Sequence, residues 1–266
     1  MYPFTSFTLI KSFIRVSVLQ DMAYRANFWI DLLNSILNLV VSIAAIYILF
    51  EQITELNGWD LSATLGLVGV YLIVSALRGL FIGPSLEALV GLGQEVWSGN
   101  FDFTLLRPIN TQFFVTFRIW RLNALLDLFL GMMVIAFAVF RSTSPVLLWN
   151  WLLFGITLFA SVLTLYALLL AFSSLVFWSP GFLFTWVFDA LFQLARYPVG
   201  IYPPALRFLL TWIIPVGLIT TIPAMALSGK TQWLTVTLAI LVSILLFGAA
   251  SWLFQKGIRR YHSASS

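Results

Sequence analysis

Three aspartates, Asp31, Asp127 and Asp189, stand inside stretches otherwise built from apolar residues. A carboxylate at the centre of a bilayer costs about 3 kcal/mol or more, so one kept there is a suspect for proton or ion coupling, or for an ion pair. Asp31 and Asp127 fall about one turn inside the same boundary, near Arg25, Arg118 and Arg121. Asp189 falls about one turn from the opposite boundary, near Arg196 and Arg207. Structural pairing and proton coupling are both open on this spacing. Arg78, at the end of its own apolar stretch, is expected to snorkel toward water.

Other reactive constellations are sparse. Ala224-Met225-Ala226-Leu227-Ser228-Gly229-Lys230-Thr231 has the spacing of a relaxed phosphate-binding loop. A working loop of that kind lies between a strand and a helix, where backbone amides cradle phosphates. This one lies between two apolar segments, so nucleotide binding is not expected and no energy source is visible in the chain. His262 is the single histidine and sits in a polar tail. There is no cysteine, which excludes disulfides, thiolate metal sites and cysteine nucleophiles. No triad, metal cluster or carboxylate pair can be assembled from what remains.

The elements that must position these residues follow from composition. Of 266 residues, 61% are hydrophobic and 9% charged. Mean hydropathy is +1.00. Soluble domains carry roughly 25% charged residues, so this chain cannot cover a water-facing surface. Disorder, a nucleic-acid-binding domain and a secreted disulfide scaffold are excluded together. The fold class is an all-α integral membrane protein.

A spanning helix needs about 20 apolar residues, and six stretches qualify. They are Phe28–Phe50, Leu61–Ile82, Asn123–Phe140, Leu148–Phe172, Phe177–Leu194 and Trp233–Leu253. The fourth and fifth come from one uncharged run, divided at Ser173, Ser174, Ser179, Pro180 and Gly181. The first is long enough to stay as an anchor rather than be cleaved. With both termini in the cytoplasm, only Arg141, Arg196, Arg207 and Lys230 of the 14 basic residues lie outside. That bias is the correct one for a multi-pass protein. Trp149, Trp151 and Trp233 then fall at outer span ends, and Trp29, Trp120, Trp178 and Trp252 near inner ones.

Three segments are left over. Residues 5–24 place Phe7, Ile10, Ile14 and Val18 on one side at helical pitch, with Lys11 and Arg15 at the edge. This is expected to lie on the membrane surface as an interfacial helix. The loop of residues 83–121 holds Glu87, Gln94 and Glu95, a Trp97-Ser98-Gly99-Asn100 turn, and then Phe101 to Pro108. Asp102 is placed to cap a short helix that Pro108 stops. Its aromatic and leucine side chains either meet a partner or dip into the bilayer interface. Residues 195–230 hold Pro198, Pro203, Pro204, Pro215 and Pro223, half of the ten prolines. The apolar runs between them are too short to span, which points to a re-entrant hairpin entered from outside. A kinked seventh span over 205–227 is the alternative.

Three blocks together resemble the permease subunits of ABC-2-type ATP-binding-cassette transporters, in the short six-span branch without a fused ATPase. The first is Ala23-Tyr24-Arg25-Ala26-Asn27-Phe28. The second is Ser98-Gly99-Asn100-Phe101-Asp102-Phe103-Thr104-Leu105-Leu106-Arg107-Pro108, which departs from the pattern in having Asn100 where an acidic residue is expected. The third runs through Arg196-Tyr197-Pro198, Ile201-Tyr202-Pro203, Leu206-Arg207, Leu210-Thr211, Ile214-Pro215 and Ile222-Pro223-Ala224.

The resemblance implies one permease domain. It consists of an elbow helix (1–27), spans 1–2 (28–82), a cytoplasmic coupling loop (83–121), spans 3–5 (122–194), an outer re-entrant segment (195–230), a last span (231–254) and a cytoplasmic tail (255–266). It implies that Glu95, Phe101, Asp102, Leu105, Leu106 and Arg107 form a coupling helix region that docks on a cytoplasmic ATPase. It assigns Arg196, Tyr197, Pro198, Pro203, Arg207, Pro215 and Pro223 to the outer segment. The implied partners are two ATPase subunits, which hold ATP and Mg, and a second permease, identical or homologous. The implied setting is a bacterial inner membrane, and the implied activity is export, without catalysis by this chain. A proton-coupled secondary transporter using Asp31, Asp127 or Asp189 is the competing reading.

Overall fold

The computed structural model describes residues 6–23, 25–90, 94–142, 145–180 and 184–261. Tyr24, Gly181 and His262 lie outside the described residues, as does the Arg25 side chain. Long runs of Leu, Ile, Val and Phe without internal proline become helices, because in lipid the backbone can satisfy its polar groups only with itself. Among the described residues five helices are long and apolar enough to cross a membrane. Within the chain these are α2 (Arg25–Gln52), α3 (Leu61–Glu87), α7 (Ala124–Arg141), α8 (Leu148–Phe177) and α12 (Trp233–Arg260). Helix α1 is Ser6–Ala23. Between α3 and α7 lie α4 (Glu95–Ser98), α5 (Phe101–Leu105) and α6 (Thr111–Phe117). Between α8 and α12 lie α9 (Phe184–Gln193), α10 (Pro204–Ile213) and α11 (Val216–Leu227).

Helix α3 is the axis. It starts at Asp60, whose carboxylate accepts from Ala63 N–H at 3.4 Å and from the Ser62 hydroxyl at 2.5 Å. It ends in a π-helical turn, Arg78–Ile82, and a last turn through Pro84. Its inner faces, with those of α8 and the proline-rich segment, carry the main core: Leu67, Val70, Val74, Leu165, Leu169, Val216 and Ile219 are all fully buried. Helices α3 and α7 meet back to back at Gly69 and Gly131, close enough that a Cβ on either would strike the other's backbone. Helices α8 and α12 meet through Thr164 and Ser243, whose hydroxyls are 2.8 Å apart. Small residues and hydroxyls at helix crossings are the usual solution in lipid, where apolar burial does not drive helices together.

Helix α1 packs at the Glu87 end of α3. Its Ser17 hydroxyl accepts from Trp120 N–H at 3.0 Å, and Asp21 accepts from Leu122 N–H at 3.1 Å. Phe13 meets the Phe114 ring edge-on at 5.7 Å. The packed face therefore runs through Phe13, Ser17 and Asp21. The expected stripe included Phe7, which is exposed instead.

The fifth apolar stretch corrects the expectation of a helical span from Phe177 to Leu194. Among the described residues α9 has ten, about 15 Å at 1.5 Å per residue and half of a roughly 30 Å hydrocarbon core, and Trp178 to Pro180 before it are turns. The chain still travels the whole distance. Phe177 packs on Phe101, Phe254 and Tyr261 at the Glu87 end. The Gly200 carbonyl accepts from the Asn57 side chain at the Asp60 end. The upper half of this passage is made of two 3-10 turns, Leu194–Arg196 and Val199–Ile201, around Pro198.

Helices α10 and α11 are bent by 66° at Ile214 and Pro215. Two hydrogen bonds bring the ends of this bent pair together. Gly200, just before α10, is held by Asn57, and Lys230, just after α11, donates to the Gly58 carbonyl at 2.8 Å. Both ends of the segment thus touch one turn. In between, the Ser161 hydroxyl donates to the Leu218 carbonyl at 3.0 Å and the Thr220 hydroxyl to the Ala195 carbonyl at 2.7 Å. Ser161 lies 13 residues into α8, about 20 Å along its axis. The segment thus leaves the turn at Asn57 and Gly58 and comes back to it.

Candidate functional site

The loop between α3 and α7 forms a braced platform. Glu95 Oε1 meets Arg118 Nη1 at 2.5 Å, and Glu95 Oε2 accepts from the Thr104 hydroxyl at 3.3 Å. Ser85 ties the platform to the end of α3, donating to the Ile119 carbonyl at 3.0 Å and accepting from Ile119 N–H at 2.9 Å. Gly99, at a φ of 77°, makes the left-handed turn that lets α5 follow α4 at once. Asn100, not Asp102, precedes α5; Asp102 lies in its first turn.

The two faces of α5 differ sharply. Phe101 is fully buried against Phe177 and Tyr261, with ring centroids 5.4 and 5.2 Å away. Thr104 is buried beside it. Phe103 is 67% exposed and Leu106 81%, three residues apart and therefore neighbours on a helix surface. Leu105 and Trp97 are also exposed. Phe101 and Glu95 are thus braces, and the outward apolar face belongs to Phe103 and Leu106. Phe103, one of the apolar side chains of the second block, was not in the set that the resemblance assigned to coupling. Its signal was the helical spacing to Leu106, which a five-residue helix shows only once its buried side is known. Arg107 lies over the Phe114 ring at 4.4 Å, and Arg118 lies over the same ring at 5.4 Å. Tyr261 follows α12, and burial together with the Asp102 carboxylate pushes its phenol up to about 12.

A second cluster links α3 to α9. Arg78 Nη2 contacts Asp189 at 2.5 Å and Glu87 at 3.3 Å. Its guanidinium also lies 5.8 Å from the ring centroids of both Phe188 and Phe192. Farther along α3, Tyr71 stacks on Phe192 at 5.2 Å, and Arg196 lies over Tyr71 at 5.2 Å. Asp189 therefore pairs with Arg78, not with Arg196 or Arg207 as its position in sequence suggested, and Arg78 does not snorkel. The reason is the half-length α9, which holds Asp189 far from the Asp60 end. Arg207 instead binds the carbonyls of Gly200 and Tyr202. Asp31 accepts from the Asn123 amide at 2.7 Å, and neither Asp31 nor Asp127 joins an ion pair among the described residues. Arg118, expected near them, is committed to Glu95.

The proline segment is held at both ends by charge. Lys230 lies 3.7 Å from Asp60. Burial works against ionisation of Asp60, but Ser62, Lys230 and the α3 amides prevail and hold its carboxyl below the ordinary aspartate range. The phosphate-loop lookalike is the end of α11. Gly229, at a φ of 71°, and the Lys230 N–H bond to Met225 O close that helix. Its amides thus serve a helix C-terminus, where carbonyls rather than N–H groups are left over. Tyr197, Pro198 and Pro203 form the extended connection into α10, and Pro223 lies buried in α11. No group of three or more metal-ligating side chains occurs among the described residues.

Five long apolar helices, a braced platform between two of them and a bent helix pair are the architecture of a multi-pass integral membrane protein. The family model for ABC-2 family transporter proteins matches residues 36–265, and the chain belongs to that family. It is the permease component of an ATP-binding-cassette transporter, a class that works with an ABC ATPase subunit. No curated protein and no solved structure matches the chain.

Proposed function

We propose that this chain is half of the membrane pathway of an ABC exporter. Two permeases, identical or homologous, would pair with two cytoplasmic ATPase subunits, which bind and hydrolyse ATP with Mg. This chain would supply no catalysis of its own. The Glu87 end of α3 is cytoplasmic in this reading, in a bacterial inner membrane. Lys256, Arg259 and Arg260 at the end of α12 and Arg107, Arg118 and Arg121 in the platform then lie inside with both termini. Helix α1 is the elbow on the inner leaflet. The α10–α11 hairpin enters from the outer face and lines the exit.

The observation that carries the reading is the platform. Apolar Phe103 and Leu106 project from it, while Phe101 and the Glu95–Arg118 pair fix it to the spans. Exposed apolar groups on a rigid mount suit docking into a cleft of a soluble partner. Closure of the ATPase pair would push the platform. Ser85 would pass that motion to the end of α3, and Arg78 to α9 and Arg196. Membership of the ABC-2 family implies such an ATPase partner. The proton-coupled alternative would use Asp31, Asp127 or Asp189, and the Arg78 contact to Asp189 disfavours it.

The test is Leu106→Asp and Phe103→Asp in the co-expressed complex. Both variants should insert normally and lose most substrate-stimulated ATP turnover. Wild-type coupling in both would refute the docking role.

A further inference from the structure

We propose a specific site for one anionic phospholipid, drawn from the leaflet at the Glu87 end, in a slot between α6, α8 and α12. The slot has a volume of about 400 Å³, within the roughly 300–1,000 Å³ of small-molecule sites. Its walls are apolar: Phe113 and Phe117 from α6, Phe159, Val162 and Leu163 from α8, and Phe247 from α12. Phe159 and Phe247 are exposed, so the slot opens on the side of the bundle that lipid bathes.

The slot is apolar at one end and polar at the other. Gln112 donates to the Tyr166 hydroxyl at 3.1 Å and to the Ser251 hydroxyl at 2.9 Å, and Thr116 joins Tyr166 at 2.9 Å. Ser251, bonded to the slot's Gln112, lines the next depression with Trp252, Gln255, Lys256 and Arg259. Phe247, Ser251, Gln255 and Arg259 recur every four residues and share one side of α12. That side passes from ring to hydroxyl to amide to guanidinium.

Depth matches this order. Helix α12 begins at Trp233, at the Asp60 end, where Trp149 packs on it. At 1.5 Å per residue Lys256 lies about 35 Å along the axis, just beyond a roughly 30 Å hydrocarbon core. Phe159 lies about 16 Å along α8, near the midplane. The slot therefore covers the depth of one acyl chain, and the cations stand at headgroup level. Trp252, exposed and 4.9 Å from the Lys256 ammonium, is the aromatic residue expected there. Neither Lys256 nor Arg259 joins an ion pair among the described residues. Two cations without counter-ions beside an acyl-sized slot select a phosphate with no compensating choline. This site needs the chain to sit in a membrane, and it does not depend on the ATPase partner.

The test uses purified full-length chain, exchanged in detergent with equal amounts of phosphatidylglycerol and phosphatidylcholine, and intact-mass spectrometry of retained lipid. Wild type should keep one phosphatidylglycerol per chain, at least about tenfold over phosphatidylcholine. Lys256→Gln with Arg259→Gln, both exposed and with Arg260 left at the end of α12, should bring the preference to about unity. Val162→Trp should reduce retention of both lipids. Equal retention by wild type, or an undiminished preference in the double variant, would overturn the proposal. So would a dimer that Val162→Trp breaks while lipid retention stays unchanged, since a second copy would then fill the slot.

Discussion

Gly69→Ala tests how α3 is held to α7. A Cβ there would stand 2.6 Å from Ile135 Cγ1, 3.0 Å from Ile135 N and 3.1 Å from Gly131 O. A rotamer change relieves the first contact. The other two are backbone atoms, so the helices must part by several tenths of an ångström. Overpacking of this kind costs about 1–3 kcal/mol. Gly66, one turn earlier on α3, is the internal control. A Cβ there meets Ala138 Cβ at 3.9 Å and Leu227 Cδ2 at 4.0 Å, which is ordinary contact. Both substitutions gain the same helix propensity, so that gain cancels in the comparison. Gly69→Ala should lie below Gly66→Ala by about 1–3 kcal/mol, roughly a tenfold to hundredfold change in the folded ratio. Thermal unfolding of both variants in one detergent reads this directly. Equal melting temperatures, or greater damage from Gly66→Ala, would refute the close-approach argument.

Phe101→Ala should destabilise the platform by about 3–5 kcal/mol, as for other fully buried rings. Accelerated proteolysis within residues 94–110, with the spans still protected, is the check. Arg78→Met should cost about 1–3 kcal/mol, below the 3–5 of a fully buried pair because Asp189 and Glu87 keep some solvent. Adding Asp189→Leu should restore part of that loss, and a double-mutant cycle measures how much. The folded state lowers the pKa of Asp60, so its contribution is present above the ordinary aspartate range and is lost as pH falls through the lowered value. Asp60→Asn should therefore flatten the acid limb of a melting-temperature profile and leave its neutral limb with the same slope.

The five long helices were legible because lipid imposes one demand on every residue of a span, and mean apolarity reports it. The break between α10 and α11 was legible from its prolines, which no continuous helix tolerates at that spacing. Helix α9 was not, because Phe177–Leu194 has a span's composition whether it is one helix or half a helix and a connector. Only Thr220, Asn57 and Arg78, distant in sequence, settle which. The site was half visible for a related reason. Aspartates in apolar stretches announce themselves, but their partners lie on other helices: Asp189 is 111 residues from Arg78. In the platform, Glu95 and Arg118 are 23 residues apart, across three short elements. A helix as short as α5 carries too few residues for periodicity to say that Phe101 faces in and Phe103 out.

The shared anchorage of residues 200 and 230 on a single turn has a consequence for how the chain is threaded. A detour that leaves and rejoins the same side adds nothing to the parity of crossings. In the re-entrant reading proposed above, the segment can be shortened, lengthened or replaced by a linker from Tyr202 to Gly229 without inverting α12 or carrying its basic end across the membrane. In that reading Arg207 and Lys230, which bind Gly200 and Gly58, do not have to traverse the hydrocarbon during insertion. The most irregular backbone in the protein is therefore also the part whose length is least constrained by sidedness.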